Sequence, residues 1–121
     1  MFYTEYNQYV NQMGSAYAYY DKTKEYNVAD GSRGFAWWLE RYLRILRMKY
    51  AAEYNKVAGD TCWRQLMLAN WGRMARRWDE IRKANMKEFA VDETFKVEAL
   101  VKDARFLPEI ENLRVLDGCR K

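Results

Sequence analysis

The chain has 121 residues, 17% of them aromatic and none of them histidine, with a formal charge of +4. Its length suits one domain, or one domain with an arm, and the lack of histidine excludes Ser-His and Cys-His dyads and removes the commonest metal ligand. No run approaches the ~20 apolar residues of a membrane span, and Cys62 and Cys119 form no CxxC pair, so a reduced compartment fits better than a disulfide framework.

The charge is unevenly spread. Residues 1–30 carry two Lys against four acids, residues 31–91 carry thirteen Lys/Arg against six acids, and residues 92–121 carry six against seven. The middle of the chain is a basic body that suits an acidic partner, whether protein, nucleic acid or anionic lipid.

Along residues 3–20, Tyr3, Tyr6, Val10, Met13, Tyr17 and Tyr20 recur at spacings that make a helical face, interrupted by Gly14. Seven of the ten tyrosines precede residue 27, so residues 1–30 read either as a helix packed on its own domain or as a docking arm. Before Arg33 there is no arginine and no signal-type apolar core, so neither a secretory signal nor a basic presequence is expected. Asp30-Gly31-Ser32-Arg33-Gly34 reads as a break.

A second helix is expected from about Phe35 to Val57, with Leu39, Tyr42, Leu43, Leu46, Tyr50 and Tyr54 as its apolar stripe. Arg41, Arg44 and Arg47 run beside that stripe at steps of three. Gly59 offers a left-handed stop, and Asp60 or Thr61 a cap for the next helix.

That helix should span about Cys62 to Lys87. Trp63, Leu66, Met67, Asn70, Trp71, Met74, Trp78 and Ile81 fall on one side, and Arg73, Arg76, Arg77 and Lys83 gather on another. Four turns of Trp and Met read as core rather than as a cofactor box. Asp92 can cap a further helix through Phe95, Val97, Leu100, Val101 and Ala104. Pro108 ends or kinks it, and Ile110, Leu113 and Leu116 continue a shorter segment. The expected architecture is all-α: an antiparallel three-helix bundle over residues 31–107, an arm over 1–30 and a helical tail over 108–121.

Little supports catalysis. The carboxylate pairs Asp79-Glu80, Asp92-Glu93 and Glu109/Glu111 each adjoin a basic residue or a helix start, as capped, solvated surfaces do. Gly31-Ser32-Arg33-Gly34 lacks the Lys-Ser/Thr and the preceding strand of a phosphate loop. No metal site and no small-molecule substrate is expected. The basic faces carry more information, because several Arg forks on adjacent helices can meet one acidic partner. Nucleic acid is disfavoured, since the tryptophans share the apolar face and the acidic ends repel phosphate.

The order "RYLRILR", "GRMARRWDEIRKAN" and "VDETFKVEALVKDARFLPEIENL" resembles the mitochondrial LYR-motif proteins over residues 41–113. The signature reads Tyr42-Leu43-Arg44 here, where the family has Leu-Tyr-Arg. The resemblance implies a small three-helix protein of the matrix side that binds the acidic acyl carrier protein. The acyl-phosphopantetheine of that carrier would enter between the helices, and no cofactor of the chain's own is implied. Such a chain would be an accessory or assembly subunit of a respiratory-type complex, peripheral to a membrane at most. By position, Tyr42 matches the signature tyrosine, Arg44 its displaced arginine, and Arg47 the arginine closing the extended signature. Arg73, Arg76 and Arg77 match the second-helix basics that face the carrier. The aromatic arm and the tail would then contact other subunits. The alternatives are a small basic protein-binding inhibitor or regulator, a viral one included, and a helical nucleic-acid-binding module; a location other than the mitochondrion would be cytoplasmic.

Overall fold

A computed structural model describes residues 7–12, 28–83, 99 and 108–118. The described residues are all-α, with no strand among them. They form α1 (7–12), α2 (Val28–Lys49), α3 (Ala51–Gly59), α4 (Thr61–Lys83) and α5 (Pro108–Leu116). Of the helix expected over 92–104 only residue 99 is described, and it is helical; the rest lies outside the described residues.

The break expected at residues 30–34 is absent, because α2 begins at Val28 and runs straight through it. Tertiary packing explains this. Arg33 is buried with its guanidinium 4.1 Å from the centre of the Trp78 ring, and Ala36 lies wholly inside the core. Such contacts outweigh the roughly 1 kcal/mol that a glycine costs a helix.

The single helix expected over 35–57 is instead divided at Tyr50, where the backbone turns out of the helical region at φ −136° and ψ 60°. Hydrogen bonds from Tyr50 N–H to Leu46 (2.8 Å) and from Tyr54 N–H to Tyr50 (2.9 Å) carry the chain across the bend.

The α3–α4 junction keeps its expected position with a different mechanism. Gly59 ends α3 without a positive φ, and among the described residues only Gly118 has one, at 79°. Asp60 is extended and its Oδ1 accepts the Trp63 N–H at 2.8 Å. A cap of this kind contributes about 1 kcal/mol.

The two long helices run in opposite senses. Near the start of α2, Arg33 covers Trp78 toward the end of α4; past the end of α2, Ala58 accepts a bond from Arg64 at the start of α4. Leu39 and Leu43 from α2 meet Met67, Trp71, Met74 and Trp78 from α4 in the core. Met67, Trp71, Met74 and Trp78 of α4 are therefore core, as their spacing indicates, while Trp63 is half-buried against it and Leu66 on the margin of that stripe is exposed.

Each end of this pair is covered by a short helix from far along the chain. At one end α1 inserts Val10 into the core, and the Tyr9 and Phe35 rings lie 5.4 Å apart. At the other, α5 inserts Ile110 and Leu113. Residues 108–116, expected in a tail, thus belong to the main body.

Candidate functional site

Periodicity puts Tyr42, Arg44 and Arg47 on α2 and Arg73, Arg76 and Arg77 on α4, and the structure does not gather these six into one patch. Arg47 faces α5. Its Nη2 donates to Glu109 Oε1 at 2.7 Å and its Nε to both carboxylate oxygens at 3.1 Å. Arg73 faces α1, at the opposite end of the α2–α4 pair. It donates to Asn7 at 2.9 Å and Asn11 at 3.1 Å, and also to Asn70 one turn away on α4. Arg77 pairs with Glu80 at 2.7 Å, one turn along the same helix. Arg76 is exposed and Arg44 half-buried.

The Arg47–Glu109 pair corrects the reading of Glu109 as a solvated carboxylate. Only 1% of that side chain is exposed, against 41% for Arg47. The hydrogen bond that Arg47 donates to Glu109, then the charge of that carboxylate, raises the Arg47 guanidinium above its already strongly basic range. No sequence periodicity marks Glu109 as internal; in the structure it is buried beside Ile110 and Leu113.

A second clamp was also not foreseen. Arg64 Nε donates to Asp117 at 2.9 Å, and its Nη1 donates to the Ala58 carbonyl at 2.9 Å. Arg64 therefore ties the end of α3, the start of α4 and the turn after α5 with one planar group.

Tyr54 lies near the first clamp. Burial raises its phenol above the ordinary value, the charge on Glu109 raises it further, and Arg47 partly opposes both. The fold therefore favours the neutral phenol. Its contribution is full below the unfolded value of about 10 and declines as pH rises from there toward the folded value. Tyr54→Phe should retain its melting temperature further into the alkaline range than the parent chain. Coincident alkaline melting profiles for the two proteins would contradict this.

Arg47, Arg73 and Arg77 are thus engaged within the molecule, and the outward side of α2 is open to solvent. Between residues 33 and 50 the exposed side chains are Trp38, Arg41, Tyr42, Ile45, Arg47, Met48, Lys49 and Tyr50. Trp38 is 60% exposed and Met48 64%. No carboxylate is exposed on this stretch, because Glu40, its one acid, is buried in the core. Of this face only Tyr42 carries an expected binding role; Trp38, Ile45 and Met48 were missed, and Tyr42 and Tyr50, read as part of the apolar stripe, are exposed instead of buried.

Among the described residues no group of three or more His, Cys, Asp or Glu side chains could hold a metal ion. No helix there is long and apolar enough to cross a membrane. Cys62 is free and exposed, and Cys119 lies outside the described residues. No protein-family model, no curated protein and no solved structure matches this chain.

Proposed function

We propose that this chain is a non-catalytic helical subunit that holds an acidic protein partner, as an accessory or assembly component of a larger complex. One observation carries the reading: α2 presents bulky apolar side chains and cations to solvent while Glu40, the one acid between residues 33 and 50, is turned inward. Aromatic and arginine side chains together are what protein interfaces concentrate.

The resemblance over residues 41–113 supplies the finer proposal. It names a mitochondrial respiratory-type complex, an acyl carrier protein as partner, and an antiparallel three-helix bundle made from α2, α4 and the segment around 92–104. Tyr42 and Arg44 lie on α2 and Arg76 on α4, where a carrier could meet them. Arg47, Arg73 and Arg77 would have to release Glu109, the α1 asparagines and Glu80 to join them. Trp71 and Trp78 sit in the core beside Met67 and Met74, so an entering acyl chain would have to displace them. A carrier held at the surface, with its acyl chain outside the core, is therefore the form of this proposal that leaves the packing intact.

The test is native affinity purification of the full chain followed by mass detection of a phosphopantetheine-bearing protein. Co-purification at a fixed ratio is the expected result. Recovery without any such carrier would overturn the finer proposal.

A further inference from the structure

We propose that α1 is an autoinhibitory strap, and that its seat on α4 is the docking site for a carboxylate-bearing helix of a partner protein. This rests on the reading of the chain as a partner-holding subunit, and it identifies the site and the device that guards it.

Arg73 differs from other arginines of the fold in what it holds. Among the described residues Arg47, Arg64, Arg77 and Arg114 each hold a carboxylate, from Glu109, Asp117, Glu80 and Glu111 respectively. Arg73 instead donates to the amide oxygens of Asn7, Asn11 and Asn70. Its Nε is buried without a hydrogen-bond partner, and so is Nδ2 of Asn70, a residue wholly inside the fold. Unpaired donors beside a cation mark a place that a carboxylate would complete. Arg47 shows the completed form, since Glu109 accepts from both its Nε and its Nη2. A carboxylate has two oxygens and about four acceptor sites, enough for the same edge of Arg73 and for the Asn70 amide.

The strap holds its seat loosely. Of residues 7–12 only Val10 is buried, and the Tyr9 ring beside Phe35 is itself 36% exposed. A contact with so little buried apolar surface lies at the low end of local stability, where opening is frequent. Leu39, Leu43, Met67 and Met74 join α2 to α4 directly, so the body can outlast the release of α1. Asn7, Val10 and Asn11 also give the pattern of the occupant: a carboxylate, an apolar side chain three positions on, and a second carboxylate after it. A helix so patterned fills the socket of Val10 and neutralises Arg73 together. A free anion leaves that socket empty, and the α1 of a second copy brings only the same asparagines.

The full chain would be titrated with a labelled peptide of residues 3–14 carrying Asn7→Asp and Asn11→Asp, with its unsubstituted twin, and with inorganic phosphate. The substituted peptide should bind about tenfold more tightly than its twin, because donor and acceptor are then both ionised. Arg73→Gln in the chain should erase that preference. Asn7→Gly with Asn11→Gly in the chain removes the acceptors of the strap and weakens its helix. It should tighten the substituted peptide about tenfold, since the tethered α1 competes with it. Asn7→Asp with Asn11→Asp in the chain should do the reverse, raising the melting temperature and closing the seat. Equal affinities for the two peptides, a melting temperature lowered by that last change, or Arg73-dependent binding of phosphate in place of peptide would each overturn the proposal. The affinity purification separates the two readings. A carrier that stays on the Asn7→Asp/Asn11→Asp chain as it does on the parent overturns the strap alone. If the peptides behave as described and no phosphopantetheine-bearing protein co-purifies, the carrier assignment alone falls.

Discussion

Arg47→Ala should destabilise the chain by on the order of 3 kcal/mol, well beyond the effect of Glu109→Gln. The asymmetry follows from burial. Glu109 is 1% exposed and Arg47 41%, so removing the arginine strands a carboxylate inside the body, whereas neutralising the carboxylate leaves a guanidinium that can turn to water. The half-open position of Arg47 keeps the figure at the low end of what breaking an internal ion pair costs. Glu109→Gln preserves shape and an acceptor, so about 1 kcal/mol is expected there. Chemical denaturation of both variants and of the double variant would measure the coupling directly. Equal losses for the two single changes would contradict this asymmetry, and negligible losses for both would show that Ile110 and Leu113 hold α5 without the ion pair.

The second large effect is at Trp78. Trp78→Ala should cost about 3–5 kcal/mol, the usual penalty for removing an aromatic ring from a core. It also removes the ring face that Arg33 covers at 4.1 Å. Trp78→Phe should be far milder, because the Trp78 Nε1 is buried without a hydrogen-bond partner. Phenylalanine keeps a ring for Arg33 and removes a polar atom whose burial costs about 1–3 kcal/mol. Thermal melts of the two variants should therefore separate by more than 10 °C, using about 4 °C per kcal/mol at this length. Similar melting temperatures would mean that the indole N–H contributes and the ring does not.

These two positions also show what could be read from sequence. Trp78 belongs to a row, Met67, Asn70, Trp71, Met74 and Trp78, whose spacing alone turns it inward, and the structure places all five in or against the core. Leu39 and Leu43 were legible for the same reason. Glu109 was not, because its partner lies 62 positions earlier and local pattern carries no information about a contact at that distance. The division at Tyr50 was hidden as well, since neither proline nor glycine marks it. Residues 30–34 misled in the other direction. Their glycines announce a turn, yet Arg33 and Ala36 find enough inside the fold to keep the helix intact. The candidate face was half legible: Tyr42 and the arginines stand out in "ERYLRILRMKY", but which of them reach solvent depends on α1 and α5, whose positions no local pattern supplies.

The far reach of the two clamps has a consequence for how the molecule is made. Arg47 and Arg64 await acceptors 62 and 53 positions further on, in a stretch that is synthesised well after them. Local contacts can bring α2, α3 and α4 together early, but ordering α5 requires closing long loops and must follow. Until then the greasy end of that early hairpin stays bare, so nascent chains halted before residue 108 should be the species that chaperones hold and that clump when chaperones are scarce.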